Sequence, residues 1–475
     1  NFLLYNMIRY ATSMEQTELK KLKFRFSLPD KFIEEFKSYS SLAVPMFLSN
    51  LAGQLMGLSA IIQLGLYSSQ SLAGALIANS IWFPTFLGLG GMIFYVTAMV
   101  AQLHGADKDF EIGPLIRQAL WLCIPLFFII YMILSLAPQI LVAMNVAEDI
   151  ILSAREYLSG LIFAIPAILL MQPLRSFSEG IKKPLPITLI SYITLVISIF
   201  GNYCLIFGNF GLPELGAKGA GLSIAIGTWS ALIITLIYIK INKSYQKGSL
   251  FLRFDMPSIP KITEILKGGL PVGASNFIEL SMFSGASLIL GKLGSDVIAA
   301  HGIALNIASL VFMIPLSIGL AAAVRVGNKV GAKEFLSAQY SAFSAVKLGV
   351  IFGLITCLIL LFGSKWIVMT IYTSDPDIIS ITVVLLLFAA LFQIADAVTM
   401  CSMGSLRGYK DTLGPMFIMV IAYWVVGLPM GYSLAVTDFW SFQFGASGMW
   451  IGMTLGLFVA SILMPWRLHH ISQLE

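Results

Sequence analysis

Long apolar runs, broken only by short polar connections, constrain this chain more than any motif does. Read as spans, they fall at about 39–64, 72–102, 119–144, 156–175, 185–208, 218–241, 268–291, 297–325, 343–371, 379–404, 413–436 and 445–466. Each is near the roughly 20 residues a helix needs to cross a bilayer. Only 11% of the residues are charged and 58% are hydrophobic, whereas a soluble domain is about a quarter charged. Lipid is therefore the solvent for most of the chain. In lipid the backbone must satisfy its own hydrogen bonds, which leaves helices or closed barrels. Barrel strands alternate over about ten residues, and these runs do not alternate. The expected fold is an all-α integral membrane protein with twelve transmembrane helices. The four cysteines (Cys123, Cys204, Cys357 and Cys401) all lie inside apolar runs. Their spacing fits neither a metal site nor a disulfide framework, so they read as core-filling residues. Residues 1–13 read as neither a cleavable signal nor a span, because their apolar stretch, Phe2 to Tyr5, is too short for a signal core. Met14 is the expected native start.

The net charge of +5 is not a nucleic-acid signal, because the basic residues are sorted by side. Twenty-five of the 29 Lys and Arg fall in the N-terminal segment, the even-numbered connections and the C-terminal tail. Only Arg155, Lys218, Lys292 and Lys365 fall on the other side. The Lys/Arg-rich side of a membrane protein faces the cytoplasm. The expectation is a multi-pass protein of a bacterial inner membrane with both termini cytoplasmic.

The chain also repeats. At a shift of 226 residues Pro45, Ser49 and Asn50 meet Pro271, Ser275 and Asn276, and Gly65 meets Gly291. Val100, Gly105 and Ala106 meet Val326, Gly331 and Ala332 in the same register. Gly180 and Lys182 meet Gly408 and Lys410 at a shift of 228. An offset of six spans preserves direction, so the halves are parallel repeats about an axis along the membrane normal. The reading divides the chain into a cytoplasmic segment 1–38, an N-lobe 39–241, a basic linker 242–267 with Pro257 and Pro260, a C-lobe 268–467 and a cytoplasmic tail 468–475. Duplicated halves around a central cavity are a transporter architecture, with binding near the bilayer midplane.

Charge buried mid-membrane costs ~2.5–3.5 kcal/mol on insertion scales, and such residues default to function. Two stand out: Glu279 in the middle of span seven and Asp396 toward the middle of span ten. Their repeat-mates are Gly53 and Ile168, so the duplication is broken at these positions. Arg175, Glu179, Arg325 and Arg407 fall at span ends, where snorkelling lowers the cost. Paired carboxylates in a dry site can hold a proton, bind Na⁺ with neighbouring oxygens, or attract a cationic substrate. Arrival of one cation then displaces another by competition for the same negative charge. Ser275, Asn276, Ser281, Ser284, Asn306, Gln393 and Tyr423 are the polar residues available to complete an oxygen shell, and His301 lies in span eight. The alternative for every one of these is helix packing through interhelical hydrogen bonds. No phosphate-binding loop, nucleophile elbow or zinc signature occurs, so ATP coupling and enzymatic chemistry are not expected.

Several stretches resemble the multidrug and toxic compound extrusion (MATE) family, in particular its NorM-type bacterial branch. They are MVAQLHGAD (Met99 to Asp107), VRVGNKVGAK (Val324 to Lys333), AAHGIALNIASLVFMIPLSIG (Ala299 to Gly319), PLRSFSEG (Pro173 to Gly180) and DAVTMCSMGSLRGYKD (Asp396 to Asp411). The likeness runs from about Ser41 through nearly the whole chain. The resemblance implies export of cationic aromatic drugs and dyes by a monomer, in exchange for Na⁺ or H⁺, through rocking of the two halves. It implies no cofactor beyond the coupling ion. It also implies cation binding by acids in spans seven and ten, which the FIEL and QIADAV matches place on Glu279 and Asp396. Three positions depart from the family pattern. Ala60 stands where many relatives have an aspartate, Phe392 where an aromatic hydroxyl is usual, and Ser198 where an asparagine precedes Asn202 by one turn. Protonation in span one is thereby in doubt, and both Na⁺ and H⁺ stay open. A lipid-linked saccharide flippase of the wider superfamily is the alternative function; such relatives usually have extra spans and a basic cavity.

Overall fold

The structure is a computed structural model and describes residues 28–437 and 444–474. The expected start at Met14 and most of the basic N-terminal segment lie outside these residues. Twelve helical spans follow in order: α1 Leu28–Tyr67, α2 Ser69–Gly105, α3 Asp109–Ala143, α4 Glu148–Leu161 with Ile165–Gly180, α5 Leu185–Phe207 and α6 Gly216–Ile241. Then come α7 Ile259–Leu290, α8 Ser295–Gly331, α9 Phe335–Tyr372, α10 Pro376–Gly408, α11 Leu413–Val436 and α12 Gly445–Leu474. Among the described residues α7 is the span not apolar enough to qualify as a membrane crossing on composition alone. It carries Ser275, Asn276, Glu279, Ser281 and Ser284, polar groups that need a partner other than lipid.

The helices overshoot the apolar runs. α1 has 40 residues, about 60 Å at 1.5 Å per residue, against a hydrocarbon core of about 30 Å. The first helix therefore begins well before residue 39, and α12 continues through most of the expected tail. The expected span at 156–175 is broken instead: its two helices meet at 49°. Pro166 at the second helix's start lacks the N–H that a continuous helix would use.

One apolar cluster draws on α1–α6 together with Ile265 and Val272 from the start of α7, and a second runs from Ile278 in α7 to Leu468 in α12. Backbone details repeat between the halves. Asp107 and Lys333 follow α2 and α8 with φ of 57° and 59°, and Lys182 and Lys410 follow α4 and α10 with φ of 60° and 63°.

A third cluster joins the halves: Tyr39, Leu42 and Met46 of α1 pack with Ala101 of α2, Ile318, Ala321 and Ala322 of α8, Leu348 of α9 and Cys401 of α10. These residues lie toward the end of the molecule that carries the linker. There α2 and α8 cross at glycines. A Cβ on Gly105 would collide with the Asn328 carbonyl, and one on Gly331 with the Gln102 carbonyl. The crossing is clasped by two matching hydrogen bonds. The Gln102 amide donates to the Gly408 carbonyl at 2.9 Å, and the Asn328 amide donates to the Gly180 carbonyl at 3.2 Å. Gln102 and Asn328 are repeat-mates, as are Gly180 and Gly408, so the clasp has the pseudo-symmetry of the duplication.

Expected snorkelling at the span ends gives way to buried ion pairs. Arg325 donates to Glu35 at 2.7 Å, Lys329 pairs with the same carboxylate, and Ser341 donates to its other oxygen at 2.9 Å. Arg175 pairs with Glu179 at 2.6 Å. Arg407 is only 6% exposed; it lines a small cavity with Ser275, Asp411 and Thr412. Helix packing at this end covers most of each head group, and neighbouring carboxylates pair with them where the fold supplies one.

Candidate cation site

Asp396 sits on α10 and is buried, and its Oδ1 has no hydrogen-bond partner. Glu279, on α7, is half-buried. The two carboxyl groups come from helices 117 positions apart, yet lie close enough to interact electrostatically. Tyr423, fully buried on α11, lies within the field of both. It belongs to a π-helical segment, Val420–Gly427. Widening of the helix by one residue per turn re-aims side chains, and such segments recur at functional sites. The Tyr423 hydroxyl is likewise unpartnered. One turn before Asp396, Gln393 donates its amide N–H to the Ala308 carbonyl at 3.1 Å, and its Oε1 is left unpaired. Buried polar atoms in folded proteins are nearly all satisfied. Asp396, Gln393 and Tyr423 each carry an unpaired oxygen, the atom type that hard cations take as ligand. Among the described residues no three His, Cys, Asp or Glu side chains gather, so this oxygen set is not a site of the His/Cys type.

Phe392 stacks on Trp450 with ring centroids 5.6 Å apart and planes at 20°. The Trp450 indole donates to His301 Nδ1 at 3.1 Å. Since Nδ1 accepts, the ring is neutral and its Nε2–H faces Ser287 Oγ at 3.0 Å. His301 is fully buried, with both nitrogens satisfied by Trp450 and Ser287. Removing it strands the Trp450 N–H, a loss of about 1–3 kcal/mol. His301→Ala is expected to lower the thermal unfolding midpoint in detergent while dye efflux persists. Efflux lost at unchanged stability would assign His301 a direct transport role.

The other sequence candidates lie elsewhere. Ser198 and Asn202 are fully buried on α5. The Asn202 amide donates to Ser59 Oγ at 3.4 Å, and Ser198 Oγ and Asn202 Oδ1 are unpaired. This second polar cluster sits beside Ala60 and holds no acid. Asn276 crosses between halves, donating to the Leu87 carbonyl at 3.4 Å. Ser275 donates to Pro271 of its own helix at 2.8 Å and borders the Arg407 cavity. Asn306 accepts from the Tyr372 hydroxyl at 2.7 Å, and Ser281 accepts from the Trp424 indole at 2.7 Å. Sequence reasoning missed Glu35, whose partners are about 300 residues away, and the Gln102 and Asn328 clasp. The repeat register holds a signal for the clasp, since the two amides align at the same shift as Gly105 and Gly331.

The family model described as MatE matches the chain twice, at residues 45–204 and 271–433. The two matches begin at Pro45 and Pro271, the pair that the internal repeat aligns. The chain is 35% identical to the probable multidrug resistance protein NorM of Idiomarina loihiensis, over 92% of this chain and 95% of that protein. It is 36% identical to the multidrug resistance protein PmpM of Pseudomonas aeruginosa, over 91% of each. It is also 36% identical to the multidrug resistance protein NorM of Vibrio cholerae, over 92% of this chain and 96% of that one. Among solved structures, the eukaryotic MATE transporter AtDTX14 superposes with a TM-score of 0.82 at 22% identity, covering 93% of this chain and 98% of that one. The Vibrio cholerae MATE transporter VcmN in its bent form gives 0.80 at 16% identity, covering 93% and 98%. The latter two share the fold. The chain is a multi-pass membrane protein of the MatE family, whose members are transporters and not enzymes.

Proposed function

We propose that this protein is a multidrug exporter of a bacterial inner membrane, exchanging cationic aromatic compounds for Na⁺ or H⁺ at Glu279 and Asp396. The observation that carries this reading is a pair of electrostatically interacting intramembrane carboxylates in one half of the molecule, which also holds the unpaired oxygens of Gln393 and Tyr423. A bound organic cation and the coupling ion compete for that negative charge, so each displaces the other. Multidrug resistance proteins at about 35% identity over nine-tenths of the chain support the substrate class. A lipid-linked saccharide carries anionic phosphate, which this acidic site would repel. The two lobes, 39–241 and 268–467, together flank one transport path, so a monomer suffices.

The same reading puts the linker end in the cytoplasm, where the Lys/Arg excess belongs. The lobes meet at that end through the α2–α8 clasp, which on this reading closes the cytoplasmic side.

Several unpaired acceptors favour Na⁺ over H⁺: a proton satisfies one oxygen, whereas a metal ion draws on several at once. In drug-loaded vesicles held at fixed pH, a Na⁺ step is expected to accelerate drug exchange. Acceleration by a pH step alone would assign the proton as the coupling ion. No response to either would remove the exchange mechanism.

A further inference from the structure

The segment between the halves does not hang in water. It runs back along α3, whose Gly113, Arg117 and Trp121 share one face at four-residue spacing. A Cβ on Gly113 would collide with the carbonyl of Gly248, so the segment's backbone lies directly on the helix there. Arg117 is buried. It donates to the carbonyls of Ser249 and Leu250, both at 2.8 Å, and pairs with Asp255 at 2.6 Å. That hydrogen bond holds the Asp255 carboxyl below its ordinary range. Gln118 donates to the Met256 carbonyl at 3.0 Å and accepts from the Ser258 N–H at 2.7 Å, and the Trp121 indole donates to the Asp255 carbonyl at 2.9 Å.

This clamp fixes the segment at the level of residues 117–121, where the apolar run of α3 begins. So held, the segment turns its largest apolar side chains outward: Leu252 is 81% exposed, Phe254 75%, Met256 75% and Ile259 79%. Phe254 meets the edge of Trp121 at 5.8 Å. Lys243, Lys247, Arg253, Lys261 and Lys267 are exposed on and around it. Apolar and aromatic side chains framed by cations, at the depth where a helix enters hydrocarbon, match the boundary between headgroups and acyl chains.

We infer that residues 249–259 form an interfacial strap that inserts Leu252, Phe254, Met256 and Ile259 into the linker-side leaflet, with the flanking Lys247 and Lys261 taking anionic lipid headgroups. The strap belongs to the N-terminal half through Arg117, and the start of α7 packs on the same half through Ile265 and Val272.

The test does not depend on transport. The four native cysteines are buried, so a maleimide-linked environment-sensitive dye (NBD) selects a new thiol in Leu252→Cys or Met256→Cys. Neither side chain packs in the fold, and the unlabelled parent protein serves as blank. The protein is reconstituted in phosphatidylcholine vesicles with and without phosphatidylglycerol. Expected results are blue-shifted emission, quenching by phosphatidylcholine brominated high on its acyl chains, and poor quenching by aqueous iodide. Phosphatidylglycerol should deepen the bromolipid quenching, and Lys247→Gln with Lys261→Gln should remove that increment. Red-shifted emission at both positions, with iodide quenching equal to that of free dye, would overturn the strap. Bromolipid quenching indifferent to phosphatidylglycerol would overturn its headgroup preference.

Discussion

Asp396→Asn is expected to abolish efflux of ethidium-like dyes while the protein still reaches the membrane at its normal level. Asparagine keeps the size of the side chain and removes the charge, so α10 packs as before. The lost charge is felt most in a dry site, where a charged hydrogen-bonding partner contributes about 1.5–3 kcal/mol. That corresponds to roughly 10- to 150-fold weaker binding of the coupling ion. Glu279→Gln should behave alike. Because the two carboxylates act on one another, the double variant should be little worse than either single one, as for groups that work as a unit. Efflux and ion-dependent exchange in vesicles, with expression measured alongside, check this. Normal efflux in either single variant would remove that residue from the site, and strictly additive losses would show that the two acids work independently.

Those acids were legible in the sequence because a single-residue property exposes them: few side chains are so costly in mid-membrane. The twelve spans were legible for a related reason, since hydrophobic length is a one-dimensional quantity. The spans expected from the apolar runs agree with the helices in number and order, and the repeat register agrees with the two starting points of the family match. What was hidden depends on who meets whom. Glu35 lay unremarked in the expected cytoplasmic segment 1–38, and only the fold brings Arg325 and Lys329 to it. Arg407 looked free to snorkel, and only the packing of α8, α9 and α12 around α10 encloses that helix and leaves Arg407 buried. The π-helical segment that carries Tyr423 and the break in α4 each stand next to a proline, Pro429 and Pro166, but a proline marks an irregularity without saying which form it takes. The fold-back of residues 249–259 onto α3 was masked because a basic, proline-bearing connection reads the same whether it is tethered or free.

The α2–α8 crossing leads to the second large effect. In each half a glycine ends the crossing helix, and the opposite backbone occupies the space where its Cβ would stand. A side chain at Gly105 or Gly331 cannot be absorbed by a rotamer change, because the obstacle is a carbonyl rather than a flexible side chain. The halves must separate at the linker end, which also lengthens the Gln102–Gly408 and Asn328–Gly180 hydrogen bonds. Overpacking of this kind costs about 1–3 kcal/mol, and a bias of that size shifts a two-state equilibrium by roughly 5- to 150-fold. The fold of each half is not touched, so Gly105→Val and Gly331→Val should insert normally, populate the state open at the linker end, and lose most of their efflux. The readout is the reactivity of a thiol at Ala322→Cys, a fully buried position in the lobe junction, toward a membrane-impermeant maleimide applied from the linker side. Reactivity should rise in either glycine variant. If reactivity and efflux both stay at the parent level, the crossing does not need to close during the cycle, and the clasp is a contact of this one conformation without a part in transport.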